Sequence, residues 1–428
     1  MCLLRGHSGF LGTALGFVAV VVLAGCSDSE ARSTPPLDRA TLAETGASNP
    51  TVAVSPAGLT YVAWAATEGD ESNVLFSRTV ADGTFSEVVR VNHIAGDAAP
   101  HAQAPAQVAA GPGDEIYVVW QNRSEAEWLD FGASDVRFSR SLDGGETWFP
   151  AVTVNDNDPS IPARNTFHDV EVADDGTIYV SWIDARVRDG FRGDYYRETG
   201  ESPPVDEEPA TEIRLTSSKD GGATFTPSVV LETNSCPCCR TSMATGPDGM
   251  VYVSYRKVYG DNIRDIAVVR SLDGGRTFEE PVRVHDDGWY IEGCPHAGAS
   301  LAVDRDGRVH VAWFTGAQDH PGAFYAVSED QGRSFEEPVR LTPPGAVPTT
   351  QVAVAADDAG TVWVAWEETD GAQARVALAR TQNGDGLERV ELGGPTGLIP
   401  AVAAANPEMA LAWLDGEAVR LVRTAATE

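Results

Sequence analysis

The chain has 428 residues, and its 63 aspartate and glutamate residues outnumber 31 lysine and arginine residues, which gives a formal net charge of −32. This charge argues against a nucleic-acid or polyphosphate partner, because phosphates repel an acidic surface. Hydrophobic residues make up 42% of the chain, enough for a large core, and six cysteines are too few for a disulfide-dense scaffold.

The first 25 residues are predicted to be an export signal. An apolar run at 10–23 is too short to span a bilayer, and it ends in Leu23-Ala24-Gly25-Cys26. This ending resembles the lipobox of bacterial lipoproteins, and the alternative is an ordinary cleaved signal. The resemblance implies that Cys26 is lipidated and that the protein is exported and held at a membrane of the bacterial cell envelope, inner or outer. Residues 26–37 are polar and contain proline, which predicts a flexible tether.

Residues 38–428 repeat one unit, in which an apolar strand, a turn with Gly or Asp, and a second strand ending in an aromatic residue follow each other. Apolar and polar residues alternate on both sides of the turn, which is typical of a β-hairpin, and no segment of similar length has helical periodicity. The pattern predicts an all-β protein. The seven copies are 51–64, 107–120, 169–182, 242–255, 300–313, 351–366 and 401–413.

Most copies are followed by a third strand and a motif of the form S-x-D-x-G-x-T/S-W/F. It occurs at 141–148, 218–225, 271–278 and 328–335, with Asp143, Asp220, Asp273 and Asp330 as its aspartates. The motif resembles the Asp box, or BNR repeat, of sialidase-like β-propellers, and it is a turn device that says little about activity. The resemblance implies a single β-propeller. The seven repeated hairpins predict seven four-stranded blades, closed by pairing residues 39–44 with the C-terminal strand. Six blades are the alternative, because sialidases usually have six.

The loops that enter two neighbouring repeats carry matching motifs, Cys236-Pro237-Cys238 and Cys294-Pro295-His296, at the same distance before the glycine of the next hairpin turn. We therefore expect the two motifs to lie side by side on one face. Soft thiolates with imidazole suit Cu(I) or Zn(II). The predicted metal ligands are Cys236, Cys238, Cys239, Cys294, His296 and His168, and His93 and His101 lie in equivalent loops.

Two other interpretations of these cysteines stay open. An exported protein normally oxidises its thiols, so a Cys236–Cys294 disulfide could staple two blades. Vicinal Cys238 and Cys239 could instead form a redox-active dithiol.

A long insertion follows Trp182 and ends in an acidic run at 198–208. It is predicted to be a long loop over the same face, with its acidic end in solvent. Residues 287–292 add an aromatic and acidic lip, in which Trp289 serves either for ligand stacking or for the core.

The resemblance to sialidases implies three arginines that bind a substrate carboxylate, a Tyr-Glu nucleophile pair and an aspartate acid. The F/Y-R-I-P motif that carries the first arginine is absent. The remaining weak candidates are Arg186, Arg240, Arg256, Tyr290 and Glu292, with Asp169 or Asp184 as the acid.

Three functions are therefore considered. The first is a lipid-anchored propeller that binds copper or zinc, or a glycan or envelope protein, through its Cys/His cluster. The second is a glycoside hydrolase of the exo-α-sialidase class that acts on envelope or environmental glycans. The third is a structural scaffold with disulfide-stapled blades.

Overall fold

Strands supply nearly all regular structure in this computed structural model, which describes residues 37–343, 346, 349–382, 386–405 and 407–424. The predicted signal peptide, Cys26 and all but the last residue of the tether lie outside the described residues. Among the described residues, no helix combines the length and apolarity that a membrane span requires.

The first half of the described chain contains β1 (Leu37–Ala43), β2 (Ala47–Val54), β3 (Thr60–Glu68), β4 (Glu71–Arg78), β5 (Val89–Arg90), β6 (Gln107–Ala110), β7 (Ile116–Gln121), β8 (Val136–Ser141), β9 (Val152–Thr153), β10 (Asn165–Val172), β11 (Ile178–Asp184), α1 (Arg186–Thr199), β12 (Thr211–Ser218) and β13 (Val229–Ser235). The second half contains β14 (Ser242–Thr245), β15 (Val251–Val258), β16 (Arg264–Ser271), β17 (Val282–Arg283), β18 (Ser300–Val303), β19 (Val309–Thr315), β20 (Gly322–Ser328), β21 (Val339–Arg340), β22 (Val352–Ala356), β23 (Thr361–Thr369), β24 (Ala374–Gln382), β25 (Glu388–Val390), β26 (Leu398–Ala405), β27 (Glu408–Asp415) and β28 (Ala418–Thr424). Short 3₁₀ turns lie at Val205–Glu207, Pro247–Gly249 and Gly260–Asn262.

Within the described residues the strands form five antiparallel sheets of four strands and one sheet of eight. Four of the smaller sheets are β2–β5, β6–β9, β18–β21 and β22–β25. The eight-stranded sheet contains β10–β17, and its two groups of four strands are joined where β13 meets β15 through the single pair Ser235 and Lys257.

The two ends of the described chain meet in the remaining sheet, whose order is β1-β28-β27-β26. The antiparallel pairing of β1 with β28 runs from Leu37–Thr424 to Ala43–Val419, as the sequence predicts for the two termini. The first strands of successive groups contact one another in the order β2, β6, β10, β14, β18, β22 and β26, and β26 contacts β2. The first strands therefore surround a central space.

The core lies between neighbouring sheets, because the alternating apolar residues of each strand face the next sheet. Trp64, Trp120, Trp182 and Trp313 lie in the second strands of four hairpins and are fully buried. These are aromatic residues that end the repeated unit in the sequence, so the aromatic signal of the repeat marks the core.

The four turns at Asp143, Asp220, Asp273 and Asp330 share one hydrogen-bond pattern. In each, the carboxylate accepts the backbone N–H and the hydroxyl of the Thr or Ser four residues later. These bonds lower the pKa of Asp143 to about 2, with the Thr147 hydroxyl contributing most. The turn therefore favours an ionised aspartate.

The insertion after β11 is where the sequence analysis is wrong, since it predicts a loop and the structure contains helix α1. The residues that α1 buries are Asp189, Arg192 and Gly193, so it has no apolar stripe that a periodicity analysis could find. Polar contacts hold it instead. The Asp189 carboxylate accepts the backbone N–H of Arg164 at 2.8 Å and its guanidinium Nε at 3.0 Å.

Candidate metal and ligand-binding site

Three thiols meet just after β13. The Sγ of Cys236 lies 3.7 Å from the Sγ atoms of both Cys238 and Cys239, and all three side chains are buried. The backbone N–H of Cys236 donates to the carbonyl of Arg256 at 2.8 Å, which ties the start of this loop to β15. The loop then turns at Pro237, so that one short segment points three sulfur atoms at one another.

The loop before β18 brings the fourth thiol to this cluster. Cys294 is exposed, and the Cys238 thiol is close enough to lower its pKa. The backbone N–H of Ala297 donates to the Sγ of Cys239 at 3.4 Å, so the two loops are in direct contact. The structure thus places the two equally spaced cysteines, Cys236 and Cys294, in loops that touch, and the sulfur atoms of Cys236, Cys238 and Cys239 lie within 4.8 Å of one another. We call Cys236, Cys238, Cys239 and Cys294 the thiol cluster.

The environment of the thiol cluster favours thiolate at two positions. Hydrogen bonds with the thiols of Cys238 and Cys239 hold the pKa of Cys236 well below its usual value, and the positive charges of Arg264 and Arg256 act in the same direction. The hydrogen bond with Cys238 lowers the pKa of Cys294 to about 6. Burial raises the pKa of Cys239 to about 12, so this thiol stays protonated unless a cation binds it.

Two of the sulfur–sulfur distances fit a tetrahedral metal ion. Zinc binds thiolates at about 2.3 Å, and four ligands at tetrahedral angles then lie about 3.8 Å from one another. The two Sγ–Sγ distances at Cys236 are 3.7 Å. A disulfide would need sulfur atoms about 2.0 Å apart, and the four described cysteines are free.

The predicted imidazole ligands lie in two different places. The ring of His296 is 5.0 Å from the ring of His101 and next to Phe167, on the exposed side of the thiol cluster. His168 is fully buried, and its Nε2 lies 3.0 Å from the carbonyl oxygen of Pro105. Burial lowers the pKa of His168 to about 4, so its ring is neutral. His296 therefore belongs to the site, whereas His168 is held in the wall between strands.

The thiol cluster forms part of the wall of a cavity of about 560 Å³. Cys238, Cys294, His101 and His296 line this cavity, together with Gln121, Asn122, Arg123, Arg164, Thr166 and Arg188. The guanidinium of Arg164 is paired with Asp189 of α1, and the Nε of Arg188 donates to Glu208 at 2.6 Å. Of the arginines that line the cavity, Arg188 belongs to α1, whereas Arg123 follows β7 and Arg164 precedes β10. The sequence carries no repeat signal that groups these arginines, because they come from three different connections between strands.

None of the five weak sialidase candidates is among the described residues that line this cavity. Arg186 is bound by Asp184 and Asp156, and Tyr290 and Glu292 are exposed and hydrogen-bonded to each other. Arg256 is fully buried and donates to backbone carbonyls, including that of Ala297 at 2.7 Å.

The fifth candidate lies in the central space between the first strands. The Nη2 of Arg240 donates to the carbonyl of Val352 at 3.1 Å, and Arg240 lines a narrow cavity of about 190 Å³ with Asp169 and Glu171. Removal from bulk water raises the pKa of Asp169 to about 6 and that of Glu171 to about 7. The structure therefore does not bring the five candidates together into one carboxylate-binding site.

Several solved structures are similar to this chain. A polysaccharide lyase of family PL25, an ulvan lyase, is 11% identical over 89% of this chain and 95% of its own, with a TM-score of 0.56. A Hadza microbial sialidase is 14% identical over 82% of this chain and 72% of its own, with a TM-score of 0.50. A protein of unknown function from Dyadobacter fermentans is 15% identical over 92% of this chain and 100% of its own, with a TM-score of 0.50.

The chain has the β-propeller fold. Identities of 11–15% carry the fold and nothing finer. No protein-family model matches the chain, and no curated protein matches it.

Proposed function

We propose that this propeller binds a soft metal ion, Cu(I) or Zn(II), through Cys236, Cys238, Cys239 and Cys294. The observation that supports this best is the convergence of three buried thiols, 3.7 Å apart at Cys236, with a fourth thiol from the neighbouring loop. Three sulfur ligands come from within four residues, which fixes most of the coordination shell before the ion arrives. Cys294 closes the shell from the solvent side.

The position of the site bears on its role. Cys238, Cys294 and His296 line the cavity, so a bound ion is reached from the cavity and not from the core. An ion with one accessible ligand can be exchanged with a partner or can contact a molecule in the cavity. We therefore favour a role in which the bound ion exchanges with a partner or contacts a molecule in the cavity. A purely structural ion that holds the two loops together is the less favoured role.

The test measures metal and thiol state together. The full-length chain is purified without chelator, and copper and zinc are measured by elemental mass spectrometry. About one equivalent of metal, lost in the Cys236→Ser/Cys238→Ser double variant and kept in Glu292→Gln, supports the proposal. Metal-free protein whose four thiols react with an alkylating reagent only after reduction overturns it and favours a disulfide-stapled scaffold.

A second candidate function, a glycan-acting enzyme in the same cavity, is favoured by the arginines that line it. Guanidinium groups bind carboxylates and phosphates, and Arg123, Arg164 and Arg188 line the cavity together with His101. The propeller fold is shared with a sialidase and with polysaccharide lyases. Among the functions considered from the sequence, the sialidase-like glycoside hydrolase agrees best with these similar structures. Such an enzyme would act on glycans that carry anionic sugars.

The glycan hypothesis is tested with a panel of sialosides and uronate-containing polysaccharides. Product above the blank with wild-type protein, lost in Arg188→Gln and kept in Arg305→Gln, supports it, because Arg305 is exposed and does not line the cavity. Absence of product from the whole panel overturns it.

Two finer points of architecture and location belong to the same proposal. We count the eight-stranded sheet as two blades, which gives seven, and we interpret the four aspartate turns as Asp boxes. The order of contacts among the first strands and the single residue pair between β13 and β15 support this count.

We also propose that Cys26 is lipidated and holds the exported protein at the cell envelope. Mass spectrometry of the mature N-terminus tests this, since an unmodified or uncleaved Cys26 overturns it.

A further inference from the structure

A second group of metal-ligating side chains lies outside the thiol cluster. His285 and Asp287 belong to the connection between β17 and β18, and His320 belongs to the connection between β19 and β20. One donor atom from each lies within 4.8 Å of the other two. These residues share no repeat position and come from two loops, so their convergence is a property of the fold.

The Asp287 carboxylate is the fixed member of this group. It is buried, and its Oδ2 accepts the indole N–H of Trp313 at 2.8 Å. Trp313 is fully buried in the core, so this bond sets the orientation of the carboxylate. The other oxygen, Oδ1, lies 2.7 Å from the Nδ1 of His285 and 3.7 Å from the Nε2 of His320. A buried partner that orients a ligand in this way is a common feature of metal sites.

The two histidines are held by aromatic neighbours and remain open to solvent. The His285 ring packs near Trp313 and the His320 ring packs edge-on to Phe324, with ring centroids 6.5 and 6.2 Å apart. Their side chains are 34% and 37% exposed, so an ion can enter and can keep water as a further ligand. The Nε2 of His320 is itself buried and has no hydrogen-bond partner among the described residues. This nitrogen is therefore available to coordinate a cation beside the carboxylate.

We propose that His285, Asp287 and His320 bind a divalent transition-metal ion, with Zn²⁺ as the best-fitting ion. Two imidazoles and one carboxylate with an open position are the ligand set of catalytic zinc sites and of non-haem iron sites. Donors bound to one zinc ion at about 2.0–2.2 Å lie about 3.0–3.6 Å apart. The two distances from Oδ1, 2.7 and 3.7 Å, lie on either side of that range, so small side-chain rotations complete the site.

This site differs in chemistry from the thiol cluster. Its nitrogen and oxygen donors are harder than thiolates and do not select Cu(I). One experiment with cobalt can therefore distinguish the two sites. Cobalt bound by thiolate has an intense near-ultraviolet charge-transfer absorption, and cobalt bound by imidazole and carboxylate lacks it.

The test is a Co²⁺ titration of the full-length chain, with total bound cobalt measured by equilibrium dialysis and thiolate-bound cobalt measured by absorption. We expect one equivalent more in total than the thiolate absorption accounts for. His320→Gln should lose this equivalent, because it removes one of the three ligands. It should still fold, because the side chain is partly exposed and its Nε2 makes no hydrogen bond among the described residues. His93→Gln, at an exposed histidine in another loop, should keep it.

Three outcomes decide the proposal. Total cobalt equal to thiolate-bound cobalt in the wild type overturns it, and so does full binding by His320→Gln with an unchanged circular dichroism spectrum. One equivalent of cobalt without any thiolate absorption supports this second site while the thiol cluster fails as a metal site.

Discussion

The backbone N–H of Ala297 donates a 3.4 Å hydrogen bond to the Sγ of Cys239, and this bond joins loops that enter two neighbouring groups of strands. The side-chain oxygen of Gln103 holds the same pair of loops from a third direction, by accepting the backbone N–H of Gly298 at 2.7 Å and that of Arg240 at 3.4 Å. Hydrogen bonds from the backbone and from Gln103 therefore hold the two loops in place. They preorganise the thiol cluster for an ion.

Replacing Cys294 should separate metal binding from folding. Cys294 is the exposed member of the thiol cluster, so Cys294→Ser removes one ligand without opening a cavity in the core. We expect the affinity for Zn²⁺ to fall by more than about tenfold and the free energy of unfolding of the metal-free protein to stay unchanged. Competition with a chromophoric chelator measures the affinity. Glu292→Gln, in the same loop, is the matched control, and wild-type affinity in Cys294→Ser would contradict the prediction.

Arg256 should be essential for the fold beneath the thiol cluster. Its guanidinium donates to the carbonyl oxygens of Ala297, Arg264 and Phe314 at 2.7 Å and packs on the ring of Trp289 at 4.7 Å. Arg256→Met leaves these buried carbonyls without donors, at a cost of about 1–3 kcal/mol each. We expect the free energy of unfolding to fall by about 3 kcal/mol or more in urea denaturation.

The matched control for Arg256 is Arg305→Met, since Arg305 is exposed. Equal stability of the two variants would show that the buried carbonyls find other donors, and it would return Arg256 to the list of candidate functional residues.

Much of the fold and part of the site follow from local patterns in the sequence. Each repeated hairpin corresponds to a pair of antiparallel strands, because period-2 alternation and a turn residue are sufficient signals for that element. The thiol cluster is predictable for a related reason. Cys236 and Cys294 occupy equal positions in adjacent repeats, so the geometry of the repeat brings them together.

The parts that the sequence does not reveal depend on long-range polar contacts. Helix α1 buries charged residues, and an ion pair between Asp189 and Arg164 holds it in place. It therefore lacks the apolar face by which a helix is predicted from sequence. His320 lies far along the chain from Asp287 and at no equivalent repeat position. Only the packing of their two loops shows that they meet.

Glu171 should make the stability of the protein depend on pH. Its carboxylate lines the narrow central cavity and accepts the backbone N–H of Thr245 at 3.1 Å and its hydroxyl at 2.9 Å. Removal from bulk water raises its pKa from 4.5 to about 7, and nearby Asp169 and Asp174 act in the same direction. The stabilisation from the protonated form is therefore complete below pH 4.5 and is lost as pH rises through about 7.

The variant Glu171→Gln keeps an acceptor oxygen and cannot ionise. We expect its Tm to exceed that of the wild type by a few degrees above pH 7 and to match it near pH 4.5, as measured by differential scanning calorimetry across this interval. Glu207→Gln, at an exposed position, should leave the wild-type profile unchanged. A Tm of Glu171→Gln that follows the wild type at every pH would assign the pH dependence to another group.

Two glycines should respond in opposite directions to the same substitution. Gly145, in the first aspartate turn, has a φ of +90°, and a Cβ built on it would lie 2.4 Å from the ring of Phe76. Gly145→Ala should therefore lower the free energy of unfolding by at least about 2 kcal/mol, through backbone strain and overpacking of the core.

Gly190 lies inside α1, and a Cβ there meets nothing within 4 Å. Gly190→Ala should raise the stability of the helix by about 0.5–1 kcal/mol, because glycine costs more backbone entropy than alanine. Urea denaturation of both variants measures the two effects, and a stabilising Gly145→Ala would mean that this turn does not pack against Phe76 as described.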